Sequence, residues 1–157
     1  MLIVGRDVCW RSPLPQKARK RKPRVVVDAN VLVEGISGFR EPYIPGRNPS
    51  ADLLHQWAEK NNFVWLLTED ILDEYKEVLK RLRVHSSVIG RVVNLIRERA
   101  EEVKVRSSVE LSPDPKDDSF CRCAEGGKAD FIVTLNSKDF PEDRLKAKVI
   151  PSSHFQP

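Results

Sequence analysis

The sequence lacks long apolar runs and is poor in cysteine and histidine, and each shortage excludes a class of protein. It contains no stretch of 18 apolar residues, which argues against a helix that spans a membrane. The opening residues, MLIVGRDVCW, reach charge too early to form the apolar region of a secretory signal. We therefore expect a cytoplasmic protein.

Three cysteines and three histidines are too scattered to predict a disulfide framework or a zinc site. The cysteines are Cys9, Cys121 and Cys123, and the histidines are His55, His85 and His154. We expect the cysteines to be reduced and structural.

Charge is plentiful, but it is unevenly distributed. Residues 1–24 contain 8 of the 27 Lys and Arg residues and 1 of the 23 Asp and Glu residues, which leaves 19 basic and 22 acidic residues over 25–157. We predict a basic, disordered tail at residues 1–23 and one domain at residues 24–157. The tail is either a phosphate-binding arm or a solvated leader.

Short β-branched runs alternate with stretches of helical period along the predicted domain. Strands are predicted at residues 24–28, 63–67, 103–105, 131–135 and 147–150. Helices are predicted over 30–36, from an N-cap at Ser50, from Thr68 to Arg83, from Ser87 to Glu102, and from Asp114-Pro115 to Gly126-Gly127. This alternation favours an α/β fold, a three-layer α/β/α sandwich with a mostly parallel central sheet.

Asp28 follows the first predicted strand. In open parallel sheets, ligands bind outside the carboxyl ends of the strands, so this position suits a functional acid. Capping of the next helix is the alternative for Asp28.

Glu74 is the acid of its helix that is predicted to face the fold. At 100° per residue, it lies about 40° from Val78, whereas Asp73 and Glu77 point nearly the opposite way. The core stripe consists of Ile71, Leu72, Tyr75, Val78, Leu79 and Leu82. The alternative for Glu74 is a boundary residue whose carboxylate reaches solvent.

Asp117 is predicted to lie on the buried face of the next acidic helix. It precedes Phe120 by three residues and Cys121 by four, whereas Asp118 is turned about 100° away. A favourable interaction with the helix dipole is enough to explain an acid at Asp118. It does not explain why Asp117 lies within the apolar stripe.

Three inward carboxylates would repel one another. At an effective dielectric near 20, each pair about 4 Å apart costs about 4 kcal/mol. Protons or a divalent cation must neutralise such a group, and oxygen ligands favour Mg²⁺ or Mn²⁺.

At these residues the chain resembles the PIN-domain family, in particular its toxin-like (VapC-like) branch. The matching segments are VVVDANVLV from Val25, TEDILDEYKEVL from Thr68, DPKDDSFCRCA from Asp114 and KADFIVTLNSKDF from Lys128. Each segment alone is weak, but the ordered set is specific.

The resemblance implies a PIN-like fold and an Mg²⁺- or Mn²⁺-dependent endoribonuclease with Asp28, Glu74 and Asp117 as catalytic, metal-binding acids. It also implies an RNA substrate, a small antitoxin protein whose peptide covers the acidic cleft, and a homodimer. Hydrolysis would use metal-activated water on single-stranded RNA.

One position departs from the family pattern. Many members carry an acid where this chain has Asn136, which brings a second metal ion into doubt. Asp118 and Asp139 are candidate substitutes. Asn136 is predicted to hold a metal-bound water or a substrate phosphate as a neutral oxygen ligand, and Asn30, Asp118 and Thr134 are predicted to support the site.

The positive charge and aromatic rings that RNA binding needs have several candidates. The candidate cations are Arg40, Arg47, Lys116, Arg122 and Lys138, and the candidate rings are Phe39 and Tyr43. Each has a simpler interpretation as a surface charge or a core residue.

Two other functions fit parts of the pattern. An aspartate-nucleophile phosphatase also places an acid after its first strand, but it requires a second acid at the position of Asn30. A PIN module that binds RNA or protein without cutting is the second alternative, and Asn136 favours it.

Overall fold

The computed structural model describes residues 21–37, 42–105 and 115–157, which form a five-stranded sheet with helices packed on it. The strand order is β3-β2-β1-β4-β5, and every pair of neighbours is parallel. The strands are β1 (Arg24–Val27), β2 (Val64–Leu67), β3 (Glu101–Glu102), β4 (Phe131–Val133) and β5 (Lys148–Ile150). The predicted three-layer α/β/α fold is confirmed.

Within the described ranges, five α-helices connect the strands. They are α1 (Ala29–Ser37), α2 (Pro49–His55), α3 (Glu69–Arg81), α4 (Ser86–Arg99) and α5 (Pro115–Gly126). A π-helical turn, Gln56–Lys60, continues α2. Over the described ranges, no helix is both long and apolar enough to cross a membrane.

The helix starts depend on side-chain caps. The Thr68 hydroxyl accepts a hydrogen bond from the Ile71 amide at 3.2 Å, so the cap predicted for α3 is confirmed. The cap predicted for α2 was wrong. Asn48 is the N-cap, because its side-chain oxygen accepts from the amides of Ser50 and Ala51, and Pro49 is the first helical residue.

The core is centred on β1 and β2. Val25, Val26 and Val27 are fully buried, as a β-branched strand in the middle of a parallel sheet should be. Trp65 and Tyr75 are among the largest side chains that are buried. Leu82, predicted in the core stripe, is instead 52% exposed, because α3 has already ended at Arg81.

The third strand lies two residues before its predicted position. Glu101 and Glu102 pair with Leu66 and Leu67 of β2, although both glutamates are exposed. Their alignment uses backbone hydrogen bonds and an ion pair from Glu101 to Arg24 at 2.8 Å, not apolar burial. A strand of this kind carries no hydrophobic period that a sequence pattern could reveal.

Candidate functional site

Asp28 lies at the carboxyl end of β1, and both its carboxylate oxygens are engaged. Oδ1 accepts from the Ala29 amide at 2.7 Å, and Oδ2 accepts from the Thr134 hydroxyl at 2.6 Å. The residue is 8% exposed. Burial raises the pKa of Asp28, and the negative charges of Glu74 and Asp139 add to the rise, whereas the two hydrogen bonds oppose it.

Thr134 links the end of β4 to Asp28. Its hydroxyl donates to Asp28 and accepts from the Asn136 amide at 3.1 Å, so one buried group serves two partners. Asn136 itself is exposed. The turn after β4 is thereby fixed beside the carboxyl end of β1.

Asn30 fixes the same turn from the other side. Its side-chain oxygen accepts from the Leu135 amide at 3.3 Å, and the residue is half-buried. Asn30 therefore helps to hold the strand ends in place through a neutral amide.

Glu74 is half-buried on α3, whereas Asp73 and Glu77 are exposed, as the helical angles predict. Its charge contributes to the raised pKa of Asp28, which places the two carboxylates in one electrostatic environment. The next residue, Tyr75, is fully buried.

Tyr75 ties α3 to β1, a role that the sequence pattern did not reveal. Its hydroxyl donates to the carbonyl of Val27, the residue before Asp28, and accepts from Trp65 Nε1 at 3.3 Å. The sequence signal was a tyrosine within an apolar stripe, because a buried phenol needs a polar partner.

The orientation predicted for Asp118 was wrong. Asp118 is 6% exposed and forms an ion pair with Arg122 Nε at 2.6 Å, one turn further along α5, whereas Asp117 is half-buried. A charged partner four residues later lets Asp118 lie against the fold although it is off the apolar stripe. The cap predicted at Asp114 lies outside the described residues.

The acids of α5 and Asp28 all act on the Cys121 thiol. Burial raises the pKa of the Cys121 thiol to about 12, and the charges of Asp118, Asp117, Glu125 and Asp28 add to that rise. The thiol stays protonated at neutral pH, as expected of a structural cysteine.

The described acidic side chains do not meet at a single point. In the part of the chain that the structure describes, no three His, Cys, Asp or Glu side chains are close enough to hold a metal ion as they stand. Asp139 is exposed in a 3-10 turn (Ser137–Asp139), and its charge contributes to the raised pKa of Asp28.

The candidate substrate contacts differ in their surroundings. Arg47 and Lys138 are exposed, and Arg122 is paired with Asp118. Tyr43 stacks on His55 with ring centroids 4.3 Å apart and donates to Asp52 at 2.6 Å. Arg40, Phe39 and the side chain of Lys116 lie outside what the structure describes.

Comparison with known proteins agrees with this architecture. The sequence profile of the PIN domain matches residues 24–138, a range that contains Asp28, Glu74, Asp117 and Asn136. Curated proteins give no match.

Among solved structures, the fold is similar to a chain in the crystal structure of VapBC2 from Rickettsia felis bound to a DNA fragment from their promoter. The two chains are 14% identical, the alignment covers 81% of this chain and 96% of the other, and the TM-score is 0.53. At that identity the likeness concerns the fold.

Proposed function

Because the chain belongs to the PIN-domain family, we propose that it is an endoribonuclease that cuts single-stranded RNA with Mg²⁺ or Mn²⁺. One observation carries the proposal. Asp28 is buried at the carboxyl edge of a parallel sheet, and its pKa is raised by burial and by the charges of Glu74 and Asp139.

The donor chemistry of this edge fits a hard cation. Carboxylate oxygens are the ligands that Mg²⁺ and Mn²⁺ prefer, and mutual repulsion among the acids is relieved when a cation binds. Because the side chains are spread in this structure, cation binding is expected to draw them together. When bound, the cation would supply Lewis-acid activation of water and of the phosphoryl group.

Each side chain has a distinct task in this proposal. Asp28 and Asp117 are the direct ligands, and Glu74 either joins them or orients the attacking water. Thr134 holds one Asp28 oxygen through its hydroxyl and so fixes the direction of the carboxylate. Asn30 and the backbone amide of Asn136 hold the turn that carries Thr134.

Single-stranded RNA is the substrate in this proposal. An unpaired strand reaches acids at the end of a sheet more readily than a duplex does, and Lys138, next to Asp139 in the sequence, offers a cation to the RNA phosphates. Arg47 is a second exposed candidate.

The biological role is proposed by family. We assign the chain as a cytoplasmic toxin that is paired with a small antitoxin protein and forms a homodimer. Val88 and Leu95, which are exposed on α4, are the apolar residues on which we expect the dimer contact to depend.

A PIN module that binds RNA or protein without cutting is the second candidate, and Asn136 favours it. We call the carboxyl end of the sheet with the proposed site acids Asp28, Glu74 and Asp117 the acidic edge. Asn136 adds no charge to it, so the site has one carboxylate fewer than many PIN domains. Binding of intact RNA without any cleavage in Mn²⁺ would support this candidate.

The test is cleavage of an end-labelled single-stranded RNA in Mg²⁺ or Mn²⁺, with EDTA as a control. We expect Asp28→Asn and Glu74→Gln to abolish cleavage while the protein still folds. Glu77→Gln is the matched control, because Glu77 is exposed on the same helix as Glu74. Full activity of Asp28→Asn, or activity that persists in EDTA, would overturn the proposal.

A further inference from the structure

The edge of the sheet opposite Asp28 carries a cluster of cations that the proposed reaction does not use. We call it the basic edge, and it consists of Arg21, Lys22, Lys128, Lys146 and Lys148. All strands are parallel, so their amino ends share this edge. Two neighbouring surface depressions of about 600 and 720 Å³ lie here, and Arg21 and Lys128 line both.

The acids near the basic edge are already engaged. Asp130 accepts from the Arg24 amide at 2.8 Å and lies 3.6 Å from Arg21 Nη2, and Glu125 Oε1 accepts from the Lys146 amide at 2.8 Å. Among the residues that the structure describes, no carboxylate forms an ion pair with the other four cations of the edge. This positive surface contrasts with the slight acidic excess over 25–157.

Lys128 is held in place by a tight turn. Its φ of 53° is in the left-handed region, which residues other than glycine rarely adopt. The preceding Gly127 is so closely packed that a Cβ would lie 2.8 Å from Val103 Cγ2 and 2.9 Å from Leu66 Cδ1. The turn therefore fixes Lys128 where the two depressions meet.

Any ligand that uses both edges of the sheet must be long. Asp130 and Thr134 flank β4 and are four residues apart, about 13 Å in a straight line through the buried strand, and a ligand on the surface must follow a longer path. A single nucleotide cannot span that length, whereas a strand of several nucleotides can. Lys17, Arg19 and Lys20 directly precede Arg21 in the sequence and lie outside the described residues.

We propose that the basic edge binds the phosphate backbone of the RNA substrate at a distance from the cutting site. This inference rests on the proposed ribonuclease function. Lysine and arginine contacts to phosphates bind without reading bases, so the edge would add affinity without sequence preference. Phe131, which lines the second depression, packs its ring on Phe155 with centroids 5.8 Å apart.

The experiment measures binding, so that it does not depend on cleavage. All variants are made in the Asp28→Asn full-length chain, and fluorescence anisotropy follows labelled single-stranded RNAs of about 4 and about 16 nucleotides, the limits of common site sizes. The test variant is Lys128→Glu/Lys148→Glu. The matched control is Lys80→Glu/Arg91→Glu, which changes the net charge equally at exposed residues outside the two depressions.

We expect the test variant to bind the longer RNA about tenfold more weakly at about 0.1 M salt, and the control to bind as the parent does. The slope of log K against log salt should become shallower by about 1.4, because each of the two lost phosphate contacts contributes about 0.7 to its steepness. Affinity for the short RNA should fall less, since a short strand has fewer phosphates to place on the basic edge. Thermal melting checks that each variant is folded.

Several outcomes would overturn the proposal. They are equal losses in the test and control variants, equal losses for the short and long RNA, no RNA binding by the parent, or tighter binding of duplex DNA with the same dependence on the two lysines. If the parent binds RNA as expected but the chain with Asp28 intact does not cut it, the ribonuclease assignment fails and the phosphate-binding edge stands.

Discussion

At the scale of single residues, the site depends on how the two oxygens of Asp28 are used. A carboxylate that is 8% exposed is costly to keep ionised, and its hydrogen bonds to Thr134 and Ala29 offset part of that cost. The Thr134 bond is the one that a substitution can remove without changing the backbone.

Thr134→Val should weaken both the fold and the proposed activity. Valine has nearly the same shape but leaves Asp28 Oδ2 and the Asn136 amide without the hydroxyl. The expected loss is about 2 kcal/mol in the free energy of unfolding, measured by urea denaturation, and cleavage should fall by about 10- to 100-fold. Thr134→Ser keeps the hydroxyl and should retain most of both, and wild-type cleavage by Thr134→Val would contradict the role assigned to Thr134.

Helical angles correctly predicted the exposure of side chains whose position depends on apolar packing. They failed for Asp118, whose position depends on an ion pair. The half-buried Glu74 and the exposed Asp73 and Glu77 follow from the apolar stripe of α3. The burial of Asp118 does not, because it depends on a 2.6 Å ion pair with Arg122. A pattern of apolar residues contains no information about that pair.

At the scale of elements, the link between α3 and β1 is the Tyr75 hydroxyl. It joins the residues next to two of the proposed catalytic acids, since Tyr75 follows Glu74 and Val27 precedes Asp28. Tyr75 is thus expected to act as a positioning residue.

Tyr75→Phe should lower kcat for RNA more than it changes KM, and it should weaken activation by Mn²⁺. The ring still fills its space, but the Val27 carbonyl and Trp65 Nε1 lose their partner, at a cost of about 1–3 kcal/mol in stability. Steady-state kinetics over a Mn²⁺ titration measure the effect. Tyr43→Phe, at the other tyrosine, is the control, and a loss of stability without any change in kcat would leave Tyr75 a merely structural role.

The ion pair between Arg24 and Glu101 fastens β1 to the edge strand. Arg24 lowers the pKa of Glu101, so the pair stabilises the fold above the ordinary glutamate pKa of 4.5, and this stabilisation is lost as the pH falls through the lower folded value.

Glu101→Gln should therefore lower the free energy of unfolding by less than about 1 kcal/mol near neutral pH, since Glu101 is half exposed. Below the folded pKa of Glu101, the substitution should have no effect on stability. Urea titrations of wild type and variant at several pH values test this. Glu102→Gln, on the same strand, is the control. A cost that persists below the folded pKa of Glu101 would contradict the assignment to charge.

Most elements could be predicted from the sequence, because buried strands and amphipathic helices carry periods of their own. The start of α2 and the position of β3 could not. The sequence Asn48-Pro49 is itself a good N-cap signal, but the neighbouring Ser50 was chosen instead. Glu101 and Glu102 form a strand only because they pair with β2, about 35 residues earlier, and because Glu101 bonds to Arg24, about 77 residues earlier.

At the scale of the whole molecule, a cation at the acidic edge would stabilise the entire fold by mass action. Mg²⁺ or Mn²⁺ at 100 times its Kd should add about 2.7 kcal/mol to the free energy of unfolding of the wild type, and little to that of Asp28→Asn. Thermal melting with and without the ion measures the difference, and EDTA should reverse it. Equal stabilisation of both proteins would place the cation elsewhere.

The two outer strands of the sheet determine whether further copies of the chain can add to it at high protein concentration. β3 is two residues long with both glutamates exposed, and β5 is three residues long with an exposed lysine at its start. Strands this short offer few free backbone groups to an incoming segment, and their charges discourage it further. Amyloid-like stacking of the native molecule is thereby hindered, so fibre growth would have to start from chains that have already lost their tertiary structure.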